Sequence, residues 1–189
     1  MLLKQSELNN TLKALNAQGV IAYPTESVFG LGCDPDCEAA IQKILTLKER
    51  PAHKGLILIA ASIEQLEKYA DFSVLNENQL AAIKKTWPGP YTWVVPAKNN
   101  LSKLVSGGFD SVAVRVTTHP VVRQICQAFN KPIISTSANL SGLDPAINTR
   151  QVMEMFKDNP LLNVIIDAPV SGLSSPSQIY NASTGERLR

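Results

Sequence analysis

Three short polar stretches hold the side chains of this chain best suited to chemistry: Tyr23-Pro24-Thr25-Glu26-Ser27-Val28-Phe29-Gly30-Leu31-Gly32, Lys48-Glu49-Arg50-Pro51 and Ser135-Thr136-Ser137-Ala138-Asn139. Each follows a short apolar segment, and loops beyond strand ends are where α/β sheets bind ligands. Lys48 and Arg50 are two apart and would diverge on a regular helix. Pro51 biases Arg50 away from helical backbone angles. That break lets a point charge and a planar fork converge on one anion, a pair suited to a polyphosphate. The same cluster, Lys43, Lys48, Arg50 and Lys54 with Glu49 opposing it, also reads as the solvated last turn of a helix. Ser137 and Asn139 alternate on an extended segment and so share a face, offering a hydroxyl and an amide. Residues of these types also form turns by bonding their own backbone. Arg115 lies in the run Val112–Val116, on the face it shares with Ala113 and opposite Val112, Val114 and Val116. There it either forks onto a carboxylate or faces solvent on a half-exposed sheet.

Other chemistries are excluded. No Gly-x-x-x-x-Gly-Lys-Ser/Thr and no Gly-x-Gly-x-x-Gly occurs, so a nucleotide would have to be held without a glycine cradle. Gly30 and Gly32 mark either a tight turn or a close approach of backbone to ligand. Cys33, Cys37 and Cys126 are an odd, sparse set that suits a reducing cytosol. Cys33 and Cys37 lack a second pair of ligands, and His53 and His119 are far apart, so no tightly bound metal site is expected. The net charge of +2 is uninformative by itself.

The elements that must position these residues follow from size and patterning. The 189 residues, 44% apolar and 18% charged, suffice for one globular domain spanning 1–189. No apolar run spans a bilayer and no signal-peptide pattern opens the chain, so a membrane role is not expected. Leu8, Leu12 and Leu15 form a stripe that predicts a helix over 6–18, closed by Gly19. Val20–Tyr23 reads as a buried strand stopped by Pro24, with a loop running on to Pro35. Ala40, Ile41, Ile44 and Leu45 predict a helix ending near Arg50-Pro51, and Leu56–Ile59 a central strand. Capping boxes are read at Ser62–Gln65 and at Asn76–Gln79, the second helix running towards Trp87. Tyr91–Val95 and Val112–Val116 read as strands, and Pro120 opens a helix. Pro132–Ile134 reads as a strand entering a loop over 135–142. A further helix is placed at Val152–Phe156, and late strands at Val164–Ile166 and Gln178–Tyr180. Between those strands, Ala168–Ser177 is rich in Pro, Gly and Ser and is a candidate lid. Strands and helices do not alternate strictly. The fold class expected is therefore α/β, a single domain with an open, twisted, mixed parallel and antiparallel sheet and surrounding helices.

Taken together, Lys48-Glu49-Arg50, Ser137-Ala138-Asn139, Tyr23–Gly32, Phe109–Val116 and Ser135–Gly142 resemble the Sua5/YciO/YrdC family, most closely its short bacterial form, from about Gln18 to Arg189. The resemblance implies a YrdC-like fold with a basic concave face, and a cytoplasmic nucleotidyltransferase. The implied reaction converts L-threonine, bicarbonate or CO2, and ATP into threonylcarbamoyl-adenylate and pyrophosphate. Partner proteins would then pass the threonylcarbamoyl group to ANN-decoding tRNA, and Mg²⁺ would arrive with ATP. By the same resemblance, Thr25, Arg115, Ser135 and Ser177 would hold threonine. Lys48 and Arg50 would act on the phosphates or carbamate, and Lys54, Ser111, Ser137, Asn139 and Arg189 would face ATP. Gly55 departs from the pattern where many members carry Pro. Ile59 stands where longer members carry a histidine that contacts threonine. Resemblance to the short form implies that the longer members' C-terminal domain would be missing, so closure over ATP would rest on the tail and on 168–177. The competing class is an RNA-binding module of the same fold that recognises structured RNA by shape and charge, although the chain is weakly basic and has no aromatic stacking motif.

Overall fold

The computed structural model describes residues 2–189. Helix α1 (Gln5–Asn16) precedes strand β1 (Val20–Pro24), which turns back into β2 (Phe29–Gly32). Helix α2 (Glu38–Leu47) and a 3-10 turn at Ala52–Lys54 lead to β3 (Ile57–Ala60). Helix α3 (Glu77–Thr86), β4 (Tyr91–Pro96), α4 (Lys103–Ser106), β5 (Ser111–Val116) and α5 (Pro120–Phe129) follow. The chain closes with β6 (Ile133–Ser137), α6 (Thr149–Met155), β7 (Leu162–Ile165) and β8 (Gln178–Asn181).

The eight strands form one sheet in the order β7-β1-β2-β6-β3-β5-β4-β8. Pairs β1·β7, β3·β5 and β4·β8 are parallel, and the other four are antiparallel. The expected mixed sheet is therefore the one observed, with β7 and β8 at its edges.

Alternation along the strands divides the core in two. Leu58 and Ala60 of β3, Val112, Val114 and Val116 of β5 and Ile134 of β6 join the larger cluster, which also takes in Ala40, Ile41, Ile44 and Leu45 of α2 and Ile83 of α3. The opposite face carries Ile21, Tyr23, Ile59 and Ile133, packed against Leu8 and Leu15 of α1 and Val121, Val122 and Ile125 of α5. Helices α1 and α5 cover only part of that second face. Further along it, Ser135, Ile57 and Ala113 lie side by side as register partners, and Val94 pairs with Ala113. This uncovered row floors a cleft.

Several local readings differ from the structure. The stretch 25–35 is not one loop, since β2 forms within it and pairs with both β1 and β6. Neither Gly30 nor Gly32 takes a positive φ, and of the two only Gly30 reaches the cleft described below. A Cβ at Gly32 would stand 2.6 Å from the Ile134 carbonyl and 2.7 Å from the Tyr23 ring, so the glycine admits that ring. The box at Asn76–Gln79 forms as read. At Ser62 it does not, and only a 3-10 turn at Glu64–Leu66 results. Gln65 instead accepts from the Ala61 N–H (2.9 Å) and donates to the Cys126 carbonyl (2.8 Å). Strand β6 runs on through Ser137, so Ser135 and Ser137 sit on a strand rather than on a loop. Ile59 is fully buried beneath the α1/α5 layer, away from the cleft.

Candidate active site

A cleft of about 530 Å³ opens over the uncovered part of the sheet. It lies on the face of the sheet beside the first residues of the parallel strands β3 and β5, rather than beyond their carboxyl ends. The structure brings nine of the eleven expected site residues to its wall: Thr25, Arg50, Lys54, Ser111, Arg115, Ser135, Ser137, Ser177 and Arg189. The charged side chains lining it, among the described residues, are the cations of Arg50, Lys54, Arg115 and Arg189, and no Asp or Glu side chain lines it. Such a wall selects anions.

Lys48 and Asn139, both expected to face ATP, lie behind the cleft wall rather than on its lining. Helix α2 ends at Leu47, and Glu49 takes φ +51, so the chain reverses between Lys48 and Arg50. Lys48 is buried, and its ammonium donates to the carbonyls of Ser137 and Asn139 and to Asn139 Oδ1. Ser137 Oγ donates to the same Oδ1 (2.6 Å), while the Asn139 amide donates to the Leu140 (3.0 Å) and Leu143 (2.7 Å) carbonyls. Lys48 and Asn139 thus brace the end of β6 and fix the Ser137 hydroxyl at the wall. Burial, then the neighbouring Arg50, pushes the Lys48 pKa down to about 8.

Arg50 reaches the cleft itself. Its Nη2 donates to the Gly55 carbonyl (2.9 Å), and its Nε is buried without a partner. Gly55 takes φ 60 and ψ 173, a region open to glycine and closed to proline, whose ring holds φ near about −65°. The glycine in place of the family's Pro is therefore required by this backbone.

Arg115 is not the solvent-facing arginine that its alternation allowed: it is 6% exposed. Its Nη2 lies 3.4 Å from Oε2 of Glu26, itself 2% exposed. The other Glu26 oxygen accepts from Thr117 Oγ1 (2.6 Å) and the Thr118 N–H (3.2 Å). Burial opposes ionisation of Glu26, but Arg115, the Thr117 hydroxyl and backbone donors outweigh it and hold the carboxyl below its usual range. Glu26 is a residue that spacing did not single out, because its partners are remote in sequence.

The segment 168–177 runs as a strap past Thr25 and Glu26 and reaches the cleft at Pro176 and Ser177. Ser171 N–H donates to the Thr25 carbonyl (3.2 Å) and Leu173 N–H to that of Glu26 (3.0 Å). Ser177 at its end accepts from Thr92 Oγ1 (3.1 Å). The tail folds back on β8, where Arg189 Nη2 donates to the Ser177 carbonyl (3.0 Å). Among the described residues, no group of three or more His, Cys, Asp or Glu could hold a metal ion, and no helix is long and apolar enough to cross a membrane.

A mixed sheet with an anion-selecting cleft on one uncovered face defines the class, and the chain belongs to the Sua5_yciO_yrdC family. The family's model, described as "Telomere recombination", matches residues 13–189. A Threonylcarbamoyl-AMP synthase of Psychromonas ingrahamii is 76% identical over 189 residues, covering 100% of this chain and 99% of the relative. Another, from Vibrio parahaemolyticus, is 56% identical over 178 residues, 94% of this chain and 95% of the relative. Among solved structures, P. abyssi Sua5 complexed with L-threonine superposes with a TM-score of 0.87 at 29% identity. That match covers 96% of this chain, which spans 54% of the Sua5 chain.

Proposed function

We propose that this chain is a threonylcarbamoyl-AMP synthase, a nucleotidyltransferase that uses ATP, L-threonine and bicarbonate or CO2 and releases pyrophosphate. The observation that carries this reading is the joint lining of one cleft by Arg50, Lys54, Arg115 and Arg189 with Thr25, Ser111, Ser135, Ser137 and Ser177. An amino acid and a triphosphate both present anions, and a cationic, hydroxyl-lined pocket without an acidic side chain suits them together. The names of the full-length relatives support the same reading.

In the proposed arrangement Arg115 takes the threonine carboxylate, with Thr25, Ser135 and Ser177 around the rest of the amino acid. Arg50, Lys54, Ser137 and Arg189 face the phosphates, and Ser111 the nucleoside. Lys48 and Asn139 act from behind, by fixing Ser137. The threonine amine adds to CO2 and loses a proton. The resulting carbamate oxygen then bonds to the α-phosphorus as the bond to the β-phosphate bridging oxygen breaks. Holding the reactants together lowers the barrier by several kcal/mol, on the order of 7–11 in favourable cases. Arg50 offsets the charge that develops on the departing pyrophosphate. Mg²⁺ brought in with ATP, rather than held by a protein site, would add to that neutralisation. The product is destined for tRNA threonylcarbamoylation by partner transferases in the cytoplasm.

Threonine- and bicarbonate-dependent pyrophosphate release from ATP tests the reaction. Arg50→Ala should lower it at least about 100-fold, the scale of losing one preorganised transition-state donor, with the circular dichroism spectrum unchanged. Normal turnover in that variant removes Arg50 from the mechanism. Salt-sensitive RNA retention by a wild-type protein without turnover overturns the reaction in favour of a binding module.

A further inference from the structure

We infer that Glu26 is a positioning residue for amino-acid capture: it holds Arg115 in place and ties the 168–177 strap to the same point. This inference rests on the reaction proposed above. Arg115 points into a cleft whose other charged groups are cations, so nothing on the wall itself restrains the guanidinium electrostatically. Glu26, buried beneath it, supplies the opposing charge at 3.4 Å.

The geometry sets Glu26 apart from a generic buried partner. One of its oxygens is pinned by Thr117 and Thr118, which aims the other at Arg115. That second oxygen and Arg115 Nε are both buried without a hydrogen-bond partner. The pair is held by charge and not by a closed fork, so it steadies the arginine without occupying it as a bidentate carboxylate would.

The strap reaches the same residue by two routes. Its middle is tied by the Leu173 N–H to the Glu26 carbonyl. Its start is tied through Pro169, whose carbonyl lies 3.1 Å from His119 Nε2. The His119 N–H donates to Thr117 Oγ1 (3.0 Å), the hydroxyl that pins Glu26. The arginine that would receive the carboxylate and the segment beside it thus share one anchor.

The test is steady-state pyrophosphate release with L-threonine varied at saturating ATP and bicarbonate, and L-threoninamide as a competing ligand that lacks the carboxylate. Glu26→Gln keeps an acceptor for Thr117 and Thr118 and removes the charge. It should raise the KM for L-threonine about tenfold, while kcat, the ATP KM and the Ki of L-threoninamide stay within about twofold. Thr117→Val leaves the charge but removes the shorter of the two hydrogen bonds that pin the carboxylate, and should raise the threonine KM about threefold. If Glu26→Gln does not fold, Thr117→Val decides. A threonine KM within twofold of wild type, or an equal rise in the threoninamide Ki, overturns the role of Glu26 while the reaction stands. A wild-type protein without threonine-dependent turnover overturns both.

Discussion

Lys48 and Arg50 sit two positions apart yet occupy opposite sides of one wall, and the cause is the reversal at Glu49. Arg50 faces the cleft, whereas Lys48 holds three oxygens of the segment that presents Ser137. A neutral amine donates only two hydrogen bonds, so deprotonation turns a lone pair onto one of those oxygens. With a native pKa of about 8, the free enzyme should lose kcat/KM as pH rises through that value. Stability runs the other way. The native pKa lies below the ordinary 10.5, so between about 8 and 10.5 the unfolded chain binds more protons, and this group makes stability rise with pH. Lys48→Arg, charged throughout, should erase the alkaline limb of the rate profile, and a pH–rate series on the two proteins checks it. Glu26 illustrates the limit of reading such residues from spacing. Its hydrogen-bond partner Thr117 is 91 positions away, and nothing local to Tyr23–Gly32 distinguishes an acid that pins an arginine from one that faces water. The available signal was an acid amid hydroxyls in a stretch whose ligand would be anionic.

Among the elements, those with their own local logic were legible. Asn76 and Gln79 satisfy each other's backbone donors, and Pro120 begins α5 where its missing N–H costs nothing. Strand β2 was not legible, because two glycines in four residues argue against a strand. It forms because β1 and β6 flank it and Tyr23 fills the space that side chains would have taken. The four-residue α4 is too short to carry a periodic signal. The turn that carries Lys54 depends on Gly55 in a conformation other residues avoid. Gly55→Ala should lower stability by about 1–3 kcal/mol, read as a lower urea midpoint at unchanged slope. It should also weaken ATP binding, since the Gly55 carbonyl holds Arg50.

At the scale of the whole molecule, the sheet class and its mixed pairing were readable from the order of apolar runs, whereas the place of the cleft was not. Its position depends on how far α1 and α5 extend over the second face, a matter of packing between helices distant in sequence. The cleft therefore joins two mechanically unlike parts. Its floor, the row Ser135–Ile57–Ala113–Val94, is already locked by strand pairing on both sides of Ile57 and Ala113, while its rim consists of connecting segments. In deuterium-exchange mass spectrometry, the floor's amides should be slow with or without ATP and L-threonine. Ligand-dependent slowing should be confined to 24–28, 49–56, 168–177 and 186–189. Slowing spread evenly through β3 and β5 would mean that the platform itself reshapes around its guests. The confined pattern instead describes a fixed bench on which successive reactants are laid, with recognition written into the border.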